Sequence, residues 1–395
     1  MRIALVSQEY PPETAKGGLA TQTYLKAHGM AARGHEVHVI SQTDGPEQLD
    51  YTDGNVRVIR TPGYYSRMMI WTEPAGWLTY STEVAAVIAE LHAKTPFDLI
   101  DFPEWAAEGY VHLLNQTEAN HIPSVIHLHG PLAMFARAIG WPPVDSEYYR
   151  VGTEMEKTCL RLADAVFSSS QCAIEWCRRF YELRRDDVPV IHTGVDTSVF
   201  YPRKVAKETR PTVVFVGRIV RNKGVEALVA ACCQIASDFP DLRLSILGGG
   251  EKELIAELRK MAAARGCIDL VELRGFVPGE DLPEHLSRAH VFAAPSIYES
   301  GPGFVYLEAM ACGLPVIGCE GSGVGEIITH NQTGILVPPG DVDPLAHAIA
   351  DLLRDLNKRN ELGRNAREFV LAHAERENCL DRMEEFYRQV AKRAK

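Results

Sequence analysis

Short apolar runs alternate with longer segments of helical periodicity along the sequence. Most of the runs are rich in Val, Ile, Leu and Phe. This is typical of parallel strands buried on both faces, whereas half-exposed strands alternate polar and apolar residues. We therefore predict strands over 2–8, 35–41, 56–61, 97–102, 124–130, 164–170 and 188–194 in the first half, and over 212–218, 242–248, 271–276, 290–296, 315–319 and 334–337 in the second.

Two such series within 395 residues predict two domains, since a single core rarely serves so long a chain. Strands separated by helices in each half indicate an α/β fold with two doubly wound domains. The boundary falls in the polar segment 196–211, which has two prolines and no clear period. We predict domains over 1–196 and 211–374, joined by a linker over 197–210. The remaining segment, 375–395, has the pattern of an amphipathic helix that could cover its own domain.

Composition excludes several functional classes. The net charge of −11 and the absence of any run of Lys and Arg argue against a nucleic-acid partner, and we expect little or no membrane association. The first residues read as a strand and a turn rather than a signal peptide, and no apolar run reaches the ~20 residues of a membrane-spanning helix. The nine cysteines lack paired zinc-ligand spacing, so we expect reduced thiols in a cytoplasmic protein.

Ligands of open parallel sheets bind beyond the carboxyl ends of the strands, so the loops that follow strands are the candidate sites. After the first strand, Gly17 and Gly18 precede a helix. Paired glycines let backbone N–H groups approach an anion closely. An ordinary turn explains the same residues equally well.

After the first strand of the second half, Arg218 and Lys223 precede a helix that begins near Gly224. Two cations at a helix N-terminus indicate a diphosphate site. The Walker A pattern is absent, which argues against that type of ATP hydrolysis. The next strand is followed by a triple glycine centred on Gly249. Glu253 stands where the dinucleotide-binding fingerprint requires glycine, which argues against a nicotinamide-dependent enzyme.

The segment 295–313, "PSIYESGPGFVYLEAMACG", contains Glu299 and Glu308 on the two sides of a Gly-Pro-Gly turn. Residues 303–305 would present free N–H groups at the start of a helix, and Glu308 follows one turn later. Carboxylates accept hydrogen bonds from sugar hydroxyls. A capping or macrodipole role is the alternative for either glutamate alone.

Taken in order, the segments "EYPPETAKGG", "HTGVDTSVFYP", "VGRIVRNKG", "LGGGEKELIAEL", "PSIYESGPGFVYLEAMACGLPVIGC" and "TGILVPPGD" resemble the retaining glycosyltransferases of family 4, which have the GT-B fold. The resemblance covers almost the whole chain. It implies two Rossmann-like domains facing across a cleft, the N-terminal one binding the acceptor and the C-terminal one the nucleotide sugar. It also implies that the last helix, 375–395, returns to the N-terminal domain.

The resemblance assigns donor-site roles by motif. Arg218 and Lys223 match the diphosphate pair, Glu308 the glutamate that holds the ribose, and Glu299 the one that holds the hexose. The other donor-binding candidates by resemblance are Gly18, Gly249, Phe276, Val277, Gly303, Phe304 and Val305.

The resemblance also gives His129 a place near the reacting carbon, so that the catalytic candidates are His129, Arg218, Lys223 and Glu299. We expect His127, two residues earlier, to point to the opposite face of its strand and to be structural. The aromatic segments 64–80 and 138–149 supply acceptor-side candidates, namely Trp71, Trp77 and Trp141, together with Gly17. Aromatic residues are more often part of a core, so burial is the alternative for these tryptophans.

Two positions depart from the family pattern. Eight residues separate Glu299 from Glu308 where the family has seven, and the extra residue falls near Gly301 and Pro302. Thr193 replaces the usual Asn before "GVD".

The expected activity is transfer of a hexose from a nucleotide diphosphate sugar to the hydroxyl of a carbohydrate or other small acceptor, with retention of configuration. A UDP-sugar is favoured and GDP-mannose is possible. No cofactor is expected, because the nucleotide sugar is a substrate, and no metal, because two cations occupy its role. The alternatives are a sugar-nucleotide epimerase or a phosphorylase on the same fold, or a non-catalytic nucleotide-sugar-binding subunit.

Overall fold

The structure is a computed structural model that describes residues 1–14, 18–62 and 72–393. The chain forms two compact units: unit 1 comprises Met1–Thr193 and Glu377–Lys395, and unit 2 comprises Gly194–Arg376. Each unit is built on one buried, mainly parallel sheet. The prediction of two doubly wound α/β units is confirmed.

Unit 1 has a seven-stranded sheet in the order β3-β4-β2-β1-β5-β6-β7. All neighbouring pairs are parallel except β3 with β4. Its strands are β1 (Arg2–Val6), β2 (Glu36–Gln42), β3 (Leu49–Asp53), β4 (Val56–Thr61), β5 (Leu99–Pro103), β6 (Ser124–Leu128) and β7 (Ala165–Ser168), and its helices are α1 (Gly18–Ala32), α2 (Glu73–Lys94), α3 (Tyr110–Asn115), α4 (Leu132–Ala138), α5 (Glu147–Leu162) and α6 (Gln171–Phe180).

Unit 2 has a six-stranded parallel sheet in the order β10-β9-β8-β11-β12-β13. Its strands are β8 (Thr212–Val216), β9 (Arg243–Leu247), β10 (Val271–Gly275), β11 (Val291–Ala293), β12 (Val316–Cys319) and β13 (Ile335–Val337), and its helices are α7 (Val225–Gln234), α8 (Lys252–Ala264), α9 (Leu282–Arg288), α10 (Phe304–Ala311), α11 (Val342–Arg354) and α12 (Leu356–His373).

The last helix, α13 (Arg376–Arg393), packs on unit 1. Leu380 and Met383 belong to the hydrophobic cluster that contains Ile3 and Leu5 of β1. Tyr387 of the same helix donates a hydrogen bond to the buried Asp101 of β5. The amphipathic pattern of 375–395 therefore reflects burial against the sheet of unit 1.

The strand prediction from the sequence contains one wrong assignment and one omission. Residues 188–194 form no strand, and one isolated bridge joins Val190 to Ser168. Strand β3 was not predicted, because its sequence "LDYTD" is polar and it lies at the sheet edge, where it pairs with β4.

Helix length and composition bear on membrane insertion. Within the described ranges, none of the helices combines the length and apolar character needed to cross a bilayer.

Candidate functional site

The strand order of unit 2 reverses between β8 and β11. The chain continues from β8 through β9 to β10 on one side, and from β11 through β12 to β13 on the other. Loops after the two strands at such a reversal diverge and leave a crevice at the carboxyl edge of the sheet. Arg218 and Lys223 follow β8, while Glu299 and Gly303 follow β11. The topology thus brings four of the predicted site residues to one crevice.

The loop after β8 presents two cations in different environments. Arg218 is exposed, and no hydrogen-bond or ion-pair partner for its guanidinium occurs among the described residues. Lys223 ends a 3₁₀ turn over Arg221–Lys223 and is half-buried. Gly224 follows with φ of 68°, and a Cβ at this position would lie 2.0 Å from the carbonyl oxygen of Pro295. Only glycine allows the backbone to pass so close to the loop after β11.

The Nζ atom of Lys223 lies 2.5 Å from Oε1 of Glu299, and the side chains are 23% and 15% exposed. The backbone supports this pair, because the Ile297 N–H donates to the Asn222 carbonyl oxygen at 2.9 Å. The loops after β8 and β11 are therefore tied together by both a backbone bond and an ion pair.

Three successive glycines after β9 have different environments. A Cβ on Gly248 would lie 1.9 Å from the Gly217 carbonyl oxygen, and one on Gly250 would lie 2.1 Å from the Ile219 carbonyl oxygen. Gly249 is exposed, and apart from its two chain neighbours no described residue places an atom within 4 Å of its Cβ position. The outer two glycines allow the loops to pack, and Gly249 leaves open backbone at the crevice.

The Gly-Pro-Gly turn is packed against the segment after β12. The Gly323 N–H donates to the Glu299 carbonyl oxygen at 2.9 Å, and a Cβ on Gly323 would lie 2.6 Å from the Gly301 Cα. Gly303 adopts φ of 68° and directly precedes α10. The additional residue near Gly301 is thus absorbed in a turn that keeps Glu299 beside Lys223.

Helix α10 begins at the crevice. Its first helical hydrogen bond is donated by the Tyr306 N–H, so the N–H groups of Gly303, Phe304 and Val305 precede the helical ladder. Such groups, with the helix dipole, attract an anion.

Glu308 lies one turn into α10 and is half-buried. No hydrogen-bond partner for its carboxylate occurs in the part of the chain that the structure describes. Burial raises the pKa of Glu308 to about 7. A carboxylate in this position is free to accept hydrogen bonds from a ligand.

The end of β10 presents an exposed aromatic ring. Gly275 adopts φ of 72° and accepts a hydrogen bond from the Gly248 N–H at 2.7 Å. Phe276 follows and is 83% exposed, while Val277 packs against the core of unit 2. An aromatic ring exposed to this extent is suited to stacking on a planar ligand group.

In unit 1, His129 follows β6, and its backbone is held by a buried carboxylate. The His129 N–H lies 2.8 and 2.7 Å from the two carboxylate oxygens of Glu104, and the Gly130 N–H donates to the same group. Burial and the nearby Lys26 ammonium hold the pKa of His129 well below its ordinary value. His129 is therefore neutral, with one ring nitrogen able to donate and the other to accept.

His127 does not point to the face opposite His129. The ring centroids are 4.1 Å apart, since residues two apart on a strand share a face. His127 is buried, and its ring contacts Gln22 at 3.3 Å and Lys26 at 3.3 Å. The expected orientation was wrong, whereas these contacts give His127 a structural environment.

The acceptor-side candidates differ in their exposure to solvent. Trp77 is 3% exposed and packs edge-on against Trp105 at 5.8 Å and Tyr148 at 5.4 Å, so its prediction as an accessible acceptor residue is wrong. Trp141 is 48% exposed and contacts Tyr148 at 5.6 Å. Gly18 begins α1. Gly17 and Trp71 lie outside the described residues.

Sequence reasoning missed three glutamates of unit 1 that are completely buried, Glu104, Glu108 and Glu156. Glu104 directly follows β5, so the rule applied to the other loops would have identified it. Glu108 accepts a hydrogen bond from the Gln8 N–H at 3.0 Å and Glu156 from the Leu132 N–H at 2.9 Å. Among the residues described, no group of three or more His, Cys, Asp or Glu side chains is arranged to hold a metal ion.

Comparison with known proteins agrees with this arrangement. Two family models together match residues 16–369: "Glycosyltransferase Family 4" over 16–199 and "Glycosyl transferases group 1" over 199–369. Alpha-maltose-1-phosphate synthase of Mycolicibacterium smegmatis is 29% identical over 99% of this chain and 100% of that protein. The GDP-mannose-dependent alpha-(1-6)-phosphatidylinositol monomannoside mannosyltransferase of the same organism is 29% identical over 93% of each chain.

Among solved structures, sucrose-phosphate synthase from Thermosynechococcus elongatus superposes with a TM-score of 0.82 and 28% sequence identity, over 98% of each chain. The match therefore extends over both units. The chain belongs to glycosyltransferase family 4 and is a glycosyltransferase with the GT-B fold.

Proposed function

We propose that this enzyme transfers a hexose from a nucleotide diphosphate sugar to an acceptor hydroxyl with retention of the anomeric configuration. The observation that carries the proposal is the Lys223–Glu299 pair at 2.5 Å. The same two loops also carry Arg218, whose guanidinium has no partner among the described residues, and the start of α10. One crevice thus contains positive groups, which suit a diphosphate, and a carboxylate, which suits the hydroxyls of the sugar ring linked to it.

The diphosphate is held by Arg218, Lys223 and the free N–H groups that precede α10. Lys223 has three donors and uses one on Glu299, so two remain for phosphate oxygens. These groups are in place before the reaction and stabilise the charge that develops on the leaving diphosphate.

The nucleoside and the sugar use different carboxylates. Glu308 accepts from the ribose hydroxyls and Glu299 from the hexose hydroxyls, while the backbone at Phe276 and Val277 holds the base. Support for this division comes from the Glu308 carboxylate, which has no hydrogen-bond partner within the described ranges, and from the contact of Glu299 with the proposed phosphate-binding Lys223.

In the reaction, the bond between the anomeric carbon and the diphosphate oxygen breaks, and a bond from the acceptor oxygen to that carbon forms on the same face. The acceptor proton passes to an oxygen of the leaving diphosphate. By family resemblance, the neutral His129 is assigned a hydrogen bond to the hexose near the reacting carbon. The names of the relatives support a donor of this class, since one of them is GDP-mannose-dependent.

The test is incubation of the enzyme with UDP-glucose and GDP-mannose, with release of nucleotide diphosphate as the readout. Products formed with added sugar acceptors are then assigned by the anomeric coupling constant in proton NMR. Release of nucleotide diphosphate and retention at the anomeric carbon are expected. An inverted product would overturn the stereochemical proposal, while an isomerised donor would identify an epimerase and tight binding without turnover a binding subunit.

Arg221 provides a matched control for the cations. It neighbours Lys223 but pairs with Glu226 at 3.0 Å and Glu257 at 2.7 Å. Arg221→Ala should keep near-normal turnover, whereas Arg218→Ala and Lys223→Ala should lose it. Equal losses in all three variants would show that the site has been misassigned.

A further inference from the structure

We propose that Glu104 is a positioning residue that fixes the backbone of His129 and Gly130 on the acceptor side of the reaction. The proposal rests on the proposed function, in which His129 meets the hexose. Glu104 is fully buried, and its carboxylate accepts hydrogen bonds from the N–H groups of both residues.

The bonds made by Glu104 replace strand pairing where β6 ends. The register of β6 with β7 stops at Leu128, so the next two N–H groups, those of His129 and Gly130, have left the ladder. A carboxylate beside them has two oxygens and can accept several such bonds at once. The Glu104 carboxylate thus accepts from two N–H groups that have no backbone acceptor among the described residues, and these bonds determine the path of the chain after β6.

A buried carboxylate is costly unless its hydrogen bonds are made. Burial raises the pKa of Glu104 to about 7, and the N–H groups of Gly130 and His129 oppose that rise. An apolar residue of the same size would avoid the cost of burial. A glutamate at this position is therefore better explained by the two N–H groups than by packing.

The backbone beside Glu104 is also held in an unusual conformation. Ala106 has φ of 62° and Ala107 has φ of 48°, a region that residues other than glycine seldom occupy. This left-handed turn lies between Glu104 and Glu108, both of which point into the interior. Glu108 accepts from Gln8, which follows β1, so the turn joins the ends of β1, β5 and β6. Strained backbone that the surrounding structure holds in place is characteristic of functional sites.

What Glu104 fixes is the backbone, and through it the imidazole of His129. The ring has no hydrogen-bond partner of its own in the described part of the chain, and its ring contact is with His127 at 4.1 Å. Its position therefore depends on the backbone from which it projects. A displacement of about 1 Å at a reacting centre can cost about 10²-fold in rate.

The test compares Glu104→Gln with Glu156→Gln. Glu156 is an equally buried glutamate of the same unit, and it accepts from the Leu132 N–H and the Tyr181 hydroxyl rather than from His129. The readouts are the NMR signal of the His129 ring in histidine-labelled protein, assigned with His129→Gln, and the kinetics of nucleotide diphosphate release from UDP-glucose or GDP-mannose.

In Glu104→Gln one of the two oxygens that accept from the His129 N–H is replaced by an NH₂ group, which donates and cannot accept. We expect the His129 signal to shift and kcat to fall by about 10- to 100-fold, with the donor KM changed less than about threefold. Glu156→Gln should leave the His129 signal in place. The proposal is overturned if Glu104→Gln leaves both readouts at wild-type values, or if the two variants shift the His129 signal equally.

Glu104→Asp is a second variant, which tests the proposal if Glu104→Gln fails to fold. It keeps the charge but withdraws the carboxylate by one methylene, so the His129 signal should shift here as well. An unshifted signal in a folded Glu104→Asp protein counts against positioning. If the wild-type enzyme releases no nucleotide diphosphate from either donor, the proposed function fails, yet the NMR comparison still decides whether Glu104 positions His129.

Discussion

The Lys223 ammonium and the Glu299 carboxylate form an ion pair at 2.5 Å that joins the loops after β8 and β11. Neither side chain is fully buried, so each can reach a ligand without leaving the other. A lysine in this arrangement is oriented before the donor binds. Its charge can act on a leaving group without first losing rotamer entropy.

The first prediction concerns Lys223→Ala, which should reduce kcat by about 10²-fold or more. Removing one preorganised donor to a developing charge costs about 2.7–4 kcal/mol. Because Glu299 loses its partner in the same variant, the effects of Lys223→Ala and Glu299→Gln should not add, and a double-mutant cycle on nucleotide diphosphate release should give a coupling of about 0.5–3 kcal/mol. Additive effects would mean that the ion pair does not couple the two roles.

The second prediction concerns the pH dependence that Glu308 imposes on nucleotide binding. Burial raises its pKa from 4.5 to about 7 in the free enzyme. If the ionised carboxylate accepts the ribose hydroxyls, binding below pH 7 requires loss of a proton. Affinity should then rise with pH, by about tenfold per unit below pH 7, and level off above it.

Calorimetry with UDP and GDP between about pH 5.5 and 8.5 checks this dependence. The phosphate of the ligand titrates in the same range, so the comparison is the ratio of wild-type to Glu308→Gln dissociation constants. A ratio that does not change with pH would show that Glu308 binds the ribose in its neutral form or does not bind it.

Most strands of both units could be predicted from the sequence. Buried parallel strands appear as short apolar runs, and their β-propensity and their length together distinguish them from helices. The prediction failed at β3 and at 188–194 for opposite reasons. Strand β3 is an edge strand held by pairing with β4, so its residues need not be apolar. Residues 188–194 are apolar without joining a ladder beyond the bridge at Val190.

For the candidate site, too, some residues could be predicted from the sequence and others could not. Loops after parallel strands meet at one edge of the sheet, and a close approach of two loops requires glycine. Gly224, Lys223 and Glu299 could therefore be assigned to one site from the sequence. Burial could not be read for Trp77, since an aromatic ring serves equally well in a core or at a surface. The role of Glu104 depends on which N–H groups it meets across two strands, a relation that one chain's sequence does not contain.

The third prediction is that activity survives a chelator. Arg218 and Lys223 are expected to neutralise the diphosphate without a metal ion. Turnover measured with and without EDTA should agree within about twofold, far less than the 10²-fold expected from losing one charged donor. A complete loss that magnesium or manganese restores would require a metal in the diphosphate site.

The fourth prediction contrasts two glycines of the crevice. Gly224→Ala introduces a Cβ 2.0 Å from the Pro295 carbonyl oxygen at φ of 68°, so it should lower the free energy of unfolding by more than about 2 kcal/mol. The Cβ of Gly249→Ala would meet no atom of a described residue other than its chain neighbours within 4 Å, so this variant should cost little stability. It should weaken nucleotide binding if the donor approaches that backbone. Urea unfolding and calorimetry separate the two effects. If Gly249→Ala binds as wild type does, Gly249 is not part of the donor site.

The last prediction concerns how Glu299 and Glu308 divide the donor. The carboxylate of Glu308 in α10 has no partner in the described part of the chain, whereas Glu299 contacts the cation expected to hold phosphate. Glu308→Gln should therefore weaken every ligand that contains the nucleoside, including the free nucleotide diphosphate. Glu299→Gln should leave the nucleotide diphosphate nearly unaffected and impair sugar transfer. Each effect should be about ten- to hundredfold, because a lost hydrogen bond to a charged group costs about 1.5–3 kcal/mol.

Calorimetry of both variants with nucleotide diphosphate and with the intact donor tests the division. Glu320→Gln is a suitable control, since Glu320 is exposed and follows β12 rather than β11. Glu299→Gln also frees Lys223 from its partner, so a modest gain in affinity for the bare diphosphate is compatible with the division. A loss for the bare diphosphate as large as that in Glu308→Gln is not compatible. It would mean that Glu299 serves the diphosphate by orienting Lys223, and that another residue holds the hexose.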